Sequence, residues 1–312
     1  MKSPRKQKTR LLSRLRLSQL ELLAAMERTE TLSAAAREVN LTQPAASRLL
    51  RTLASDLNIS LFERVGRTLK PTAAGRTLVR RAAGLVADID RTQQDLEAID
   101  GGLMGSASIG AGVSSCYVIV PRALTLLLTE APRITVTVRE GPMDELVTKL
   151  HTGQIDLLVG RFTGNTQNSD ITTQELYRPA VRAVCGPHHP LGKKRATTWN
   201  DLIEQPWILP EDGTAMRSAA EALFRKQRRR PERCLLESSS IQTNVALMHG
   251  SDLIWLLSAD VAEYFFSLGA IRIPNVPPLA APGAFVMAQL RGRSLSPAAQ
   301  RLSACLLKAS TI

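Results

Sequence analysis

Cysteine is scarce in this 312-residue chain, and the four present, Cys116, Cys185, Cys234 and Cys305, lie far apart. No CxxC pair and no Cys/His metal spacing occurs, so no metal site is expected and the thiols read as reduced and structural. A redox sensor would need two of them to meet in space, which spacing does not decide. The four histidines fall outside any Ser/His/Asp or metal pattern, and His188-His189 fits a loop. Carboxylates are scattered, and there is no P-loop or Gly-rich dinucleotide loop, so neither an enzyme nor a cofactor carrier is expected. Long apolar runs are missing too: nothing approaches the roughly 18 residues of a membrane span. The basic stretch from Met1 to Arg16 is not followed by an apolar run of signal-peptide length. With no lipidation motif either, a cytoplasmic protein without a membrane partner is expected.

Positive charge, by contrast, is abundant and segregated. Residues 1–81 hold 17 Lys/Arg against 6 Asp/Glu, a balance of +11, while residues 82–312 hold 23 against 22. An excess confined to one block is the footprint of a polyanion partner; a basic surface kept for solubility is the plainer alternative. The length allows two or three domains with their own cores.

Within the basic block, Leu17, Leu20, Leu23 and Ala24 recur at helical spacing. Thr31 can cap a second helix with Leu32, Ala35, Ala36 and Val39 as its stripe, and the alanines let helices cross closely. Asn40-Leu41 makes a short turn. Thr42 can cap a third helix with Pro44 in its first turn and Leu49, Leu50, Leu53 and Leu57 buried. Gln43, Ser47, Arg48 and Arg51 occupy its other face, which describes a helix-turn-helix. Gly66 then sits at the tip of an expected hairpin among Arg64, Arg67 and Lys70, a basic wing suited to backbone or minor-groove contact.

The segments Leu32-Ser33-Ala34-Ala35-Ala36, Leu41-Thr42-Gln43-Pro44-Ala45-Ala46-Ser47-Arg48, Leu61-Phe62-Glu63-Arg64 and Thr72-Ala73-Ala74-Gly75 together resemble the winged helix of LysR-type transcriptional regulators. The resemblance implies that Gln43, Pro44, Ser47 and Arg48 face the major groove and that Arg67 reaches the minor groove. Gln pairs with adenine edges, Arg with guanine, and Pro meets a thymine methyl. Thr42 and Arg51 are expected on phosphate, which positions without specifying. Two positions depart from the family: Ala54 replaces a frequent acidic residue, and Asn58 stands where glycine is common, in a conformation asparagine tolerates.

Thr72 can cap a long helix reaching about Ile99. Leu78, Ala82, Leu85, Ile89, Thr92, Leu96 and Ile99 alternate in steps of four and three, a heptad seam interrupted by Thr92. Dimerisation through this seam is expected; packing against its own domain is the alternative. A dimer would read an interrupted inverted repeat. Gly101-Gly102 ends the helix.

Beyond Ala107, strands and helices alternate: strands at Ala107–Gly112, Ile134–Arg139, Ile155–Val159, Ala180–Cys185, Trp207–Leu209 and Ile254–Leu257; helices at Tyr117–Thr129, Met143–His151 and Met216–Lys226. Such alternation implies parallel sheets with right-handed crossovers. Gly153-Gln154-Ile155-Asp156-Leu157-Leu158-Val159-Gly160, His189-Pro190-Leu191, Gln205-Pro206-Trp207-Ile208-Leu209-Pro210 and Leu295-Ser296-Pro297-Ala298-Ala299 resemble the effector domain of the same regulators, so the resemblance spans nearly the whole chain.

The expected fold is therefore multidomain. An all-α winged helix-turn-helix (1–72) and a linker helix (73–102) precede an α/β, two-lobed, periplasmic-binding-protein-like effector domain. Lobe I takes 103–177 and 278–312; lobe II takes 178–277. Strand ends and helix N-termini around the cleft should hold the effector. The candidates are Ser114, Ser115, Gly141, Pro142, Met143, Arg161, Asp212, Gly213, Thr214, Arg217, Ser239 and Ser240. Glu140-Gly141-Pro142, Val159-Gly160-Arg161 and Pro210-Glu211-Asp212-Gly213-Thr214 look most like the branch regulating sugar uptake or aromatic-acid catabolism, so a sugar or an aromatic carboxylate is the expected effector. The resemblance further implies a homotetramer built of dimers, and RNA polymerase as a partner. A periplasmic solute-binding protein would lack the winged helix, and a purely architectural DNA-binding protein would not need a ligand domain. The run Arg225-Lys226-Gln227-Arg228-Arg229-Arg230 reads as a solvated helix end, with a second nucleic-acid contact or a subunit contact as alternatives.

Overall fold

Side-chain hydroxyls start two of the short helices of the basic block. The computed structural model describes residues 15–29, 31–65, 68–100, 105–162, 170–280 and 283–311. Helix α1 spans Leu17–Arg28, α2 Leu32–Glu38 and α3 Gln43–Leu57. Thr31 Oγ1 accepts from the Ala34 amide at 3.2 Å and Thr42 Oγ1 from the Ala45 amide at 3.4 Å, filling N–H groups that a helix start leaves unpaired. Asn40 and Asn58 take left-handed conformations, with φ of 55° and 53°, and so end α2 and α3 where most side chains would be strained. Leu22, Leu23, Ala35, Ala36, Ala46, Leu50 and Leu53 form the core of this region. Each fully buried leucine contributes about 1.5–3 kcal/mol. Ala54, a departure from the family pattern, packs against the same core.

Strands β1 (Phe62–Val65) and β2 (Thr68–Pro71) pair antiparallel, from Phe62 opposite Pro71 to Val65 opposite Thr68. The hairpin expected after the third helix is thus present, whereas Gly66 and Arg67 at its tip lie outside the described residues. Helix α4 (Ala73–Asp100) follows. Thr72 Oγ1 accepts from the Gly75 amide at 3.1 Å and donates to the Ser60 carbonyl at 2.8 Å, tying the wing to the helix start. A Cβ on Gly75 would overlap the Leu61 carbonyl oxygen, so only glycine fits there.

The heptad seam divides along α4. Ala82 is buried in the winged-helix core and Leu78 packs against it. Leu85, Ile89 and Leu96 remain 51%, 50% and 62% exposed. The Ile99 side chain and Gly101-Gly102 lie outside what is described.

The described residues divide into two units. One runs to Ser106 and includes Val147–Ile155; the other comprises Ala107–Leu146 and the chain from Asp156 onward. The second holds two sheets. The first contains β3 (Ser106–Ala111), β4 (Thr135–Glu140), β5 (Leu157–Arg161), β6 (Ile171–Tyr177) and β11 (Phe285–Leu290), in the order β4-β3-β5-β11-β6. The second contains β7 (Val181–Cys185), β8 (Trp207–Leu209), β9 (Cys234–Glu237) and β10 (Ile254–Ser258), in the order β7-β10-β8-β9.

The expectation of purely parallel sheets is corrected here. Strand β3 runs parallel to β5, but β11 is antiparallel to both β5 and β6. Strand β10 runs parallel to β8 and antiparallel to β7. The reason is connectivity: after β6 the chain passes to the second sheet and returns as β11, which inserts between β5 and β6. The crossover rule governs strand–helix–strand units, and β11 is not part of one.

The helix expected from Tyr117 begins later. A 3-10 turn at Val113–Cys116 precedes α5 (Ile119–Glu130). Pro121 is the third residue of α5, where its missing N–H costs no helical bond. Helix α6 covers Met143–His151, α7 Trp199–Ile203, α8 Ala215–Gln227, α9 Ile241–Met248, α10 Ala259–Ser267 and α11 Pro297–Ala309.

Sequence marks acquire structural causes in this unit. Asp156 Oδ2 accepts from the amide and hydroxyl of Ser108 at 2.7 and 2.6 Å, locking β3 beside β5. Trp207 is buried edge-on against Phe224, and its Nε1 donates to the Leu202 carbonyl at 2.8 Å. His189 Nδ1 accepts from the Leu191 amide at 3.1 Å. In the basic run, Arg229 pairs with Glu204 at 2.8 Å and Arg230 pairs with Glu221.

Candidate DNA-reading face and effector cavity

Helix α3 buries Ala46, Leu50 and Leu53, so its helical period turns the opposite face outward. Thr42, Gln43, Pro44, Arg48 and Arg51 are exposed there, and Ser47 is half-buried. A groove brings Gln43, Ser47 and Arg51 together with Thr31 and Ser33 of the α2 start and Arg64 of β1. Thr42, Pro44 and Arg48 are outside that groove. The Arg51 Nε donates to the Ser47 carbonyl at 3.3 Å, which holds its guanidinium along the helix.

In the second unit, a cavity of about 390 Å³ is lined by residues of both sheets. Ser114, Ser115, Gly141, Pro142, Met143, Arg161, Thr214 and Ser239 line it. Gly213, Arg217 and Ser240 do not. Gly213 supplies a left-handed turn, with φ of 78°. Ser240 caps α9, its Oγ accepting from the Thr243 amide at 3.3 Å. Arg217 is committed elsewhere: it donates to the Glu237 carboxylate at 2.9 Å, the Pro210 carbonyl at 3.0 Å and Glu221 at 3.1 Å. Asp212 stands 3.2 Å from the same guanidinium. The bond to Glu237, foremost among these, raises its pKa.

Lining residues the sequence reading passed over include Gly112, Gly160, Met216, Trp255, Ser258 and Phe285. Two of them are steric. A Cβ on Gly160 would collide with the Met143 sulfur, and one on Gly112 would stand 3.2 Å from it. The two glycines thus let Met143 lie across the ends of β3 and β5. Ser115 is fully buried and donates to the Val159 carbonyl at 3.2 Å, which fixes the turn after β3.

Arg161 is the electrostatic centre of the cavity. Its guanidinium carbon lies 4.5 Å from the Phe285 ring centroid, and Tyr177 stacks with that ring at 5.0 Å. The strand register dictates this row, since Phe285 sits opposite both Arg161 and Tyr177. The Arg161 Nη1 meets the Met216 sulfur at 3.5 Å, a weak acceptor. Its Nε and Nη2 are buried and have no acceptor among the described residues, and the same holds for Trp255 Nε1. Burial lowers the Arg161 pKa, opposed by the negative charge of Asp260.

Cys116 lies beside Glu140; burial, reinforced by that carboxylate, pushes its thiol up to about 12. No grouping of His, Cys, Asp and Glu that would hold a metal ion occurs among the described residues. No described helix is long and apolar enough to cross a membrane.

Known proteins place these features. Residues 17–76 match the model of the bacterial regulatory helix-turn-helix protein, lysR family, and residues 100–311 match the LysR substrate binding domain. The HTH-type transcriptional regulator GbpR of Azospirillum brasilense is 30% identical over 301 residues, 96% of this chain and 88% of that protein. A full-length, singly substituted OxyR from Pseudomonas aeruginosa superposes with a TM-score of 0.66 at 18% identity, covering 96% of this chain and 95% of that one. Full-length CbnR complexed with its target DNA gives 0.60 at 18% identity, covering 95% and 100%. The chain belongs to the LysR family: it is a DNA-binding transcriptional regulator with a substrate-binding domain for a small-molecule effector.

Proposed function

We propose that α3 reads operator DNA with Gln43, Pro44, Ser47 and Arg48, that Thr42, Arg51 and Arg64 hold phosphates, and that Arg67 enters the minor groove. The effector occupies the cavity around Arg161, and its binding changes operator affinity by no more than its differential affinity for the two conformations of the protein. The observation carrying this reading is the cavity itself, lined from two sheets and holding an arginine whose buried Nε and Nη2 have no acceptor among the described residues. We assign 1–72 to DNA binding, 73–102 to the linker, 103–177 with 278–312 to lobe I and 178–277 to lobe II. The working assembly is a cytoplasmic homodimer, joined through the exposed part of the α4 seam and paired into a tetramer that engages RNA polymerase. Sugars and aromatic carboxylates are the effector classes to screen first.

The test is operator footprinting with full-length protein against a panel of both classes. A compound that changes the footprint of the native protein should fail to do so in Ala215→Trp, which fills the cavity, while ligand-free DNA binding persists. A response that survives Ala215→Trp places the effector elsewhere.

A further inference from the structure

We infer that the substrate-binding part of the chain carries a second DNA contact: the basic run that ends α8, together with the Lys193–Arg195 loop, binds the phosphates of duplex DNA flanking the operator. The inference needs only that the chain binds DNA and does not rest on the roles given to single α3 residues.

Charge placement carries the argument. Residues 225–233 hold six Lys/Arg against one Asp/Glu, a balance of +5, while the rest of 82–312 holds 17 against 21. The excess is therefore local, in a stretch of chain that is otherwise slightly acidic. Two ion pairs set a second basic segment beside the run. Lys194 pairs with Asp201 at 3.4 Å, and Arg229 pairs with Glu204 at 2.8 Å. Asp201 lies in α7 and Glu204 is its C-terminal cap, so the two carboxylates, three residues apart, are neighbours on one helix face.

These bridges, with the pair Arg230–Glu221, neutralise three of the nine cations. Lys193, Arg195, Arg225, Lys226, Arg228 and Arg233 are exposed and have no carboxylate partner among the described residues. The helix macrodipole accounts for Arg225 and Lys226, which stand in the last turn of α8. It does not account for Arg233, Lys193 and Arg195, which lie off that helix.

Duplex DNA fits this face better than a protein does. Among the described residues, every exposed large apolar side chain lies outside 190–240, so the face lacks the anchors that hold a protein interface. A two-fold contact with a second copy would set like charge on like. Phosphate binding needs no apolar anchor, and four of the six free cations are arginines, whose forks match phosphate oxygens. The contact need not be tight. Non-specific DNA binding has a Kd of roughly 10⁻⁴–10⁻⁶ M, and a second site on one chain meets its ligand at an effective concentration on the order of 1 mM when the linkage spans the distance.

The experiment uses full-length protein and the operator obtained by binding-site selection. One duplex is trimmed to that site; the other adds about two helical turns, ~20 base pairs, at each end. The variant combines Arg225→Gln, Lys226→Gln, Arg228→Asn and Arg233→Gln and leaves the bridging arginines in place. Asparagine is chosen at 228 because that residue has φ of 51°. On the extended duplex at low salt the variant should bind about tenfold or more weakly, with the salt slope lowered by about two to four. On the trimmed duplex it should bind as the native protein does. In native protein, Lys193 and Lys226 should be acetylated more slowly with the extended duplex than with the trimmed one, a reading that stands even if the variant fails to fold. Unchanged affinity and slope on the extended duplex, or equal acetylation with both duplexes, would overturn the inference. Equal weakening on both duplexes would overturn it in favour of long-range charge. Loss of self-association in the variant, read by sedimentation, would overturn it and assign the face to a subunit contact. Native-like DNA binding with transcription lost in a purified polymerase assay would overturn it and assign the face to an acidic protein.

Discussion

The Tyr177 hydroxyl donates to Asp260 Oδ2 at 2.8 Å, joining the last residue of β6 to the first turn of α10. It links an element of the first sheet to a helix that follows the second. Burial, and then the neighbouring carboxylate, hold the phenol well above its ordinary range, so it stays protonated and the bond persists at every working pH. Tyr177→Phe keeps the stack on Phe285 but leaves both Asp260 oxygens without a described partner. A loss of about 1–3 kcal/mol is expected in urea unfolding, with no dependence on pH between 6 and 9. An unchanged midpoint would mean that water replaces the hydroxyl at no cost.

Specificity and affinity for DNA should separate along α3. Gln43→Ala or Arg48→Ala should each cost about 1–3 kcal/mol at the cognate operator and relax base preference. Arg51→Ala should weaken all sequences alike and reduce the salt slope by about one. Binding-site selection with randomised DNA decides. An unchanged preferred sequence in Gln43→Ala would remove that residue from the reading face.

The winged helix was legible because local signals and core agree there. Thr31, Thr42 and Thr72 cap the helices they precede, and Asn58 adopts the left-handed end that the sequence allows. Pattern reading places strands but not their neighbours. The row Arg161–Phe285–Tyr177 joins residues more than a hundred positions apart through the insertion of β11, and no local period encodes that insertion. Trp255 lay in a strand read correctly, yet which wall it lines depends on sheet order. Arg217 looked like a ligand group because it opens a helix beside a glycine turn. Its capture by Glu237 depends on β9, which local reading did not find, while Glu221 holds it from one turn along the same helix.

The cysteines should differ sharply in reactivity. Burial pushes the thiols of Cys116 and Cys185 up to about 12, leaving about one part in ten thousand as thiolate at pH 8. Cys234 is exposed. Native protein treated with iodoacetamide at pH 8 should be alkylated at Cys234 first, with Cys116 and Cys185 labelled only on unfolding. Peptide mass spectrometry reads the order. Early labelling of Cys116 would show that its neighbourhood opens and would revive a redox role for it.

The seam on α4 makes two predictions of opposite kind from neighbouring positions. Leu85 and Ile89 are half exposed, four residues apart on one helix face, with Leu96 continuing the row. An apolar stripe of that spacing is stabilised by a second helix. Leu85→Glu with Ile89→Glu should therefore weaken self-association strongly while leaving the unfolding transition of the winged helix near its native midpoint. Ala82 is fully buried in the winged-helix core. Ala82→Glu buries a charge without a partner, which costs several kcal/mol, so it should unfold the domain whatever the assembly state. Sedimentation and thermal melts on the same samples separate the outcomes. If the Leu85/Ile89 variant stays associated, the dimer lies elsewhere and the exposed stripe is solvated. If it also melts early, the stripe belongs to the domain core, as Ala82 does.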